Sequence, residues 1–192
     1  FYGGGLACHV RIATASGAAQ AYVDGVLDAL FASYYTPLVG LSRGTVDYGP
    51  LASQYGTIDD HAEYKQMLTS VTSGSAPAVQ LFVVGDFAGD VDNALGIAGG
   101  IPGSPMVHGT RRSGVAFTPT GNVNYDASVL AHESGHLGGL FHTTEVQVTA
   151  FDPLADTPQC PNPGNPNNCP DKSNVMFPIA YGGNVLTPLQ AL

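Results

Sequence analysis

His132-Glu133-Ser134-Gly135-His136-Leu137-Gly138-Gly139-Leu140-Phe141-His142 fits the pattern H-E-x-x-H-x-x-G-x-x-H, and a single metal centre accounts for every fixed position in it. On an α-helix His132 and His136 project from one face, as two imidazoles must to reach a common ion. A straight helix cannot deliver a third ligand from the same side at once, so the chain has to turn. Gly139 stands where that turn is needed, and glycine enters the left-handed region without a Cβ penalty. His142 is then the third ligand. Three neutral imidazoles hold a tetrahedral Zn²⁺ and leave its fourth position open for water, as a catalytic site requires and a closed structural site does not. Glu133, beside the first ligand, is the candidate proton acceptor. The short H-E-x-x-H arises by chance often enough, but a glycine and a third histidine in register make coincidence improbable.

The extended motif resembles that of the metzincin metallopeptidases, whose second mark is a methionine-containing turn beneath the zinc. Asn174-Val175-Met176-Phe177-Pro178 follows at a compatible spacing, which makes Met176 the candidate for that turn. Within the clan the chain is most similar to the pappalysin-like peptidases and related bacterial secreted proteins, over roughly residues 78–190. That likeness rests on Leu95-Gly96-Ile97-Ala98 with Pro102, on the zinc helix, and on the stretch from Asp152-Pro153 to Gln159-Cys160. The resemblance implies an α+β fold whose N-terminal part is α/β-like: a twisted mixed sheet with backing helices, the zinc helix, and an irregular C-terminal subdomain carrying the Met-turn. It also implies that an edge strand over the cleft, here Leu95, Gly96, Ile97, Ala98 and Gly99, pairs with an extended substrate through main-chain hydrogen bonds. Many metzincins place a tyrosine two residues after the methionine to stabilise the tetrahedral intermediate. This chain has Pro178 there, and its nearest tyrosine for that role is Tyr181.

Composition bounds the setting. The 192 residues are 44% hydrophobic, enough for one domain with a real core: a single catalytic domain over 1–192 is expected, with lobes of about 1–139 and 140–192. Six Lys and Arg face 15 Asp and Glu, a formal charge of -9 that opposes binding to nucleic acid or an anionic membrane. No apolar run approaches the roughly 20 residues that span a bilayer. Phe1-Tyr2-Gly3 lacks a starter methionine, so a processed or trimmed chain is expected. Composition and the resemblance together imply a secreted or extracytoplasmic protein, and a monomer is expected.

Three cysteines divide as a pair and a singleton. Cys160 and Cys169 bracket a proline- and asparagine-rich segment with almost no apolar content. A disulfide across it would restrict the unfolded chain by roughly 2 to 3 kcal/mol. Half of a structural zinc site is the competing reading, disfavoured by the spacing and by the lack of a second cysteine pair. Cys8, in a strand-like segment, reads as a buried free thiol.

Ahead of the motif, strands and helices alternate. Strands are expected over 9–14, 45–48, 78–84 and 114–118, with a short or edge strand in the glycine-rich 96–103. A helix is expected over about 18–35, ended by Thr36-Pro37, and another begins near the acidic 57–60. The glycine-rich stretch lacks the order and the G-K-[ST] ending of a phosphate loop. His9, His61 and His108 have no ligand spacing. Asp152 and Asp156 offer oxygen ligands to a structural Ca²⁺, or are simply turn-forming aspartates beside proline. The reading as a whole is a zinc-dependent endopeptidase acting on proteins or peptides. The alternative is a catalytically weak or inactive zinc-containing module that binds peptides in the same cleft; Glu133 speaks against it, since ligand geometry alone needs no carboxylate there.

Overall fold

The computed structural model describes residues 5–72, 77–145, 150–162, 165–179 and 183–191. Its centre is a five-stranded sheet. Strands β1 (Leu6–Ile12), β2 (Arg43–Pro50), β4 (Val79–Val83), β6 (Gly96–Ala98) and β7 (Val115–Phe117) lie in the order β2-β1-β4-β7-β6. The first four neighbours run parallel, and β6 closes the edge antiparallel to β7. A small parallel pair, β3 (Thr57–Ile58) and β5 (Asp86–Phe87), lies apart from it. This is the twisted mixed sheet with backing helices expected from the sequence.

Both faces of the sheet are covered, which is why all five residues of β4 are buried and why its sequence is apolar apart from Gln80. Leu81, Val83, Val115 and Phe117 pack with α1 (Gln20–Leu30) and α4 (Val123–Gly138). Phe82, Val84 and Ala116 pack with Tyr64, Met67 and Leu68 of α3 (His61–Ser70). The apolar positions of α1, Val23, Val26, Leu27 and Leu30, recur at the three-and-four spacing of a helix face. Each such side chain, taken fully from water, contributes about 1.5 to 3 kcal/mol. Asp60 caps α3 by accepting from the Glu63 N–H, so the acidic stretch before it is split: Thr57 and Ile58 form β3 rather than the start of the helix.

The first helix does not stop at Thr36-Pro37. It passes through a π turn at Phe31–Tyr35 into α2 (Thr36–Val39), and Gly40 ends it in the left-handed region at φ 70°. Within the π turn the Thr36 N–H reaches back to the Phe31 carbonyl. That shift puts Pro37 in the first turn of a fresh helical segment, where a missing N–H goes unmissed. The other boundaries move by a few residues: β1 starts at Leu6, Thr14 lies in a 3₁₀ turn, and β2 is longer at both ends than 45–48.

Cys160 and Cys169 form a disulfide with Cα atoms 4.8 Å apart, so the half-zinc-site reading falls away. Phe177 packs against the pair. Cys8 is a buried free thiol whose pKa is pushed up to about 11 by burial, against the opposing charge of Arg43. Among the described residues no helix is long and apolar enough to cross a membrane.

Candidate metal centre and cleft

The centre is built on α4. The Asn122 side chain accepts from the Asn124 and Tyr125 N–H groups and starts the helix. Asp126, fully buried, accepts from the Tyr22 hydroxyl at 2.5 Å and from Thr120, tying the first turn to α1 and the preceding loop. Three turns on, His132 and His136 share one face. Gly139 stops the helix at φ 109°, and its N–H bonds the Gly135 and His136 carbonyls. The chain doubles back there and brings His142 to the other two.

The three imidazoles meet at their Nε2 atoms. His142 Nε2 lies 3.2 Å from that of His132 and 3.0 Å from that of His136. Ligand atoms about 2.0 to 2.1 Å from a tetrahedral Zn²⁺ stand about 3.3 Å from each other, so the arrangement fits the ion with only small adjustment. The opposite ring nitrogens explain the convergence. Nδ1 of His132 donates to the Val175 carbonyl at 2.8 Å, Nδ1 of His136 to the Leu140 carbonyl at 2.8 Å, and Nδ1 of His142 to Glu145 Oε1 at 2.9 Å. All three partners are acceptors, so each Nδ1 carries the proton and each Nε2 presents a lone pair to the same point. Burial, followed by the neighbouring imidazoles, pushes the His132 pKa down to about 3. For His136 burial again leads, and the value falls to about 4. Both rings are therefore neutral at pH 7, the form a metal takes. Among the described residues this is the cluster of histidines able to hold an ion.

Glu133 lies between this centre and the sheet edge. Burial pushes its carboxyl up to about 8, and a hydrogen bond from the Ala98 N–H works the other way. Ala98 ends β6, the edge strand, which rests directly on α4: a Cβ added at Gly96 would come within 2.7 Å of Glu133 Cγ and 2.8 Å of Val129 Cγ1. The Leu95 carbonyl and Gly99 N–H bond across to β7, so Gly96 and Ala98 turn their main-chain groups the other way, toward the free edge. The Tyr64 hydroxyl donates to the Ile97 carbonyl at 2.7 Å and pins the strand from behind. Between this edge and the three histidines runs a cleft of about 500 Å³. Leu95, Gly96, Ile97 and Ala98 line it. Gly99 is buried instead against the Arg112 backbone.

Beneath the centre, Met176 is fully buried in a tight turn. Asn174 accepts from the Met176 N–H through its side chain and from the Phe177 N–H through its carbonyl. The Met176 carbonyl in turn accepts from Thr143, just after His142. Tyr181 lies outside the described residues. His61 is exposed at the start of α3, and His108 bonds the Ala78 carbonyl and lies against His9 with ring centroids 4.8 Å apart and planes tilted by 59°. The Asp152 carboxylate accepts from Leu154, Thr157 and Gln190, and that of Asp156 from Thr187 and Leu189, so protein donors occupy both.

Several members of the site were not singled out in the sequence. Tyr125 and Val129 line the cleft one helical period apart, on the face that carries Glu133, and that periodicity is readable in the motif's own helix. Ile101, Pro178 and Ile179 also line it, and Glu145 backs His142.

In structure the chain is similar to metalloproteinase-II from Bacteroides fragilis, at 14% identity and a TM-score of 0.58, with 98% of this chain and 51% of that one covered. It thus spans about half the length of that protein. It is likewise similar to mature mirolysin from Tannerella forsythia, solved in complex with a cleaved peptide, at 16% identity and a TM-score of 0.58 over 97% of this chain and 89% of that one. The likeness is one of fold, a mixed sheet with backing helices as in those two metalloproteinases. No family model and no curated protein matches the sequence.

Proposed function

We propose that the protein is a zinc-dependent endopeptidase of metzincin type, akin to the pappalysin-like enzymes, with residues 1–192 serving as one catalytic domain. The observation that carries this reading is the meeting of three Nε2 atoms in one cleft with Glu133, under the edge strand. His132, His136 and His142 would hold the ion, which supplies Lewis acidity by polarising the scissile carbonyl and making water more acidic. The chain's own residues do the rest. Gly96 and the Ala98 carbonyl would offer main-chain groups to an extended peptide, setting its carbonyl over the histidines. Burial alone would keep Glu133 protonated up to about 8; the charge of a bound ion and the Ala98 N–H favour its ionised form, which would take the proton from the attacking water and deliver it to the departing amine. Met176 supports the floor by packing, without coordinating. The cleaved peptide in the mirolysin complex agrees with a peptide as substrate, and the Cys160–Cys169 disulfide is consistent with an oxidising, extracytoplasmic compartment.

Turnover of a quenched generic protein substrate tests the reading. Zinc-loaded wild type should cleave it, a chelator should abolish cleavage, and Glu133→Gln should retain stoichiometric zinc while losing about 10² to 10⁴ in rate. Wild-type rates in the zinc-replete variant would refute the role of Glu133. Zinc binding with no turnover in the wild type would leave a peptide-binding module.

A further inference from the structure

We infer that the cleft selects peptide segments whose side chains next to the scissile bond are uncharged and apolar, with Ile101, Val129 and Ile179 setting the preference; this rests on the peptidase reading above. Apart from the histidines and Glu133, no charged residue lines the cleft among the described residues. Its walls carry Leu95, Ile97 and Ile101 on the edge-strand side, Val129 on the helix, and Pro178 and Ile179 after the Met176 turn.

The neutrality extends along the chain. Residues 93–110 and 173–192 contain no Asp, Glu, Lys or Arg, in a protein of net charge -9, so neither wall can draw a charge from its own continuation. Ile101 and Ile179 are 37% and 36% exposed, large apolar side chains held open to solvent by two unrelated segments that both line the cleft. Val129 is 5% exposed and packs against Gly96 directly beside Glu133.

Beyond Glu133 and the metal centre, the lining offers a charged side chain nothing to replace the hydration it loses. An acidic side chain drawn to the ion would occupy the position the reaction needs, and a basic one paired with Glu133 would take the proton acceptor out of use. An apolar side chain meets none of these penalties and covers Ile101 and Ile179.

Two measurements test the inference. Zinc-loaded protein is incubated with a proteome-derived peptide library and cleavage sites are mapped by mass spectrometry; Leu, Ile, Val, Phe and Met should be enriched beside the cut, and Asp, Glu, Lys and Arg depleted by about ten-fold or more. Separately, zinc-loaded Glu133→Gln is titrated with hexapeptides of one sequence whose central pair is Leu-Leu, Lys-Lys or Glu-Glu. The Leu-Leu peptide should bind at least about ten-fold tighter than either other, and Ile179→Asp or Ile101→Asp, both at exposed positions, should narrow its lead over Lys-Lys. Enrichment of charged residues beside the cut, equal or tighter binding of a charged hexapeptide, or no binding of the Leu-Leu peptide would overturn the inference. A library left uncut would overturn the peptidase reading instead, and the hexapeptide ranking would still decide the selectivity.

Discussion

Gly135 and Met176 touch so closely that a Cβ placed on the glycine would overlap the methionine sulfur. The helical turn between His132 and His136 thus sits on the Met176 turn with no room for a methyl group. Gly135→Ala should cost about 1 to 3 kcal/mol through overpacking and lower zinc content, whereas Met176→Leu should cost less than about 1.5 kcal/mol and keep the ion. Thermal unfolding and bound zinc, measured on both variants, check the contrast. An alanine variant as stable and as zinc-replete as wild type would show that the contact is not a constraint.

Glu145 is the one charged group among the three Nδ1 partners; the others are the main-chain carbonyls of Val175 and Leu140. Removing it in Glu145→Ala should weaken zinc binding by about 10- to 100-fold, and Glu145→Gln, whose amide oxygen still accepts, should recover part of the loss. Competition against a chromophoric chelator reads both values. Unchanged affinity in the alanine variant would mean that His142 is oriented without it.

Acid should unfold the metal-free protein sooner than the metal-loaded one. His132 and His136 titrate near 3 and 4 in the folded chain but near 6.5 when unfolded. Between those values the unfolded chain binds protons that the folded chain refuses, so the contribution of these two rings is full above about 6.5 and is lost as pH falls toward 4. Glu133, held up at about 8, works the other way between about 4.5 and 8, so the histidine contribution is read in a Glu133→Gln background. Melting of that chelator-treated variant from pH 8 to pH 4.5 should show the decline, and adding His136→Asn should make it shallower. A melting temperature that stays level between pH 6.5 and 5 would contradict the burial of these rings.

Denatured without reductant, the protein should show one reactive thiol, Cys8; with reductant it should show three. Opening the Cys160–Cys169 bridge should cost about 2 to 3 kcal/mol, the loop-closure entropy returned to the unfolded chain. Thiol titration and denaturant unfolding of the oxidised and reduced forms supply the two numbers.

The site was legible in the sequence where local periodicity governs it. His132 and His136 follow from the helix repeat, Gly139 from the need for positive φ, and β4 from a run that is apolar apart from Gln80. The π turn at Phe31–Tyr35 escaped, because Pro37 normally marks a helix end and only a shift in hydrogen-bond register lets the helix pass it. Glu145 escaped because the chain after His142 has no repeat from which to place a side chain. The Val175 carbonyl reaches His132 only through tertiary packing, which no local pattern encodes. Gly99 leaves the cleft because its N–H still bonds the Gly114 carbonyl while its Cα is pressed against the Arg112 backbone, with no room for a Cβ.

The clamp on His132 comes from Val175, 43 residues further along the chain. During synthesis the histidine pair of α4 leaves the ribosome well before the carbonyl that fixes its tautomer, and before His142 and Glu145. Until Val175 has emerged and docked, a nascent chain can offer an ion only loosely aimed imidazoles, so lasting metal capture waits for the Met176 turn rather than for α4 alone.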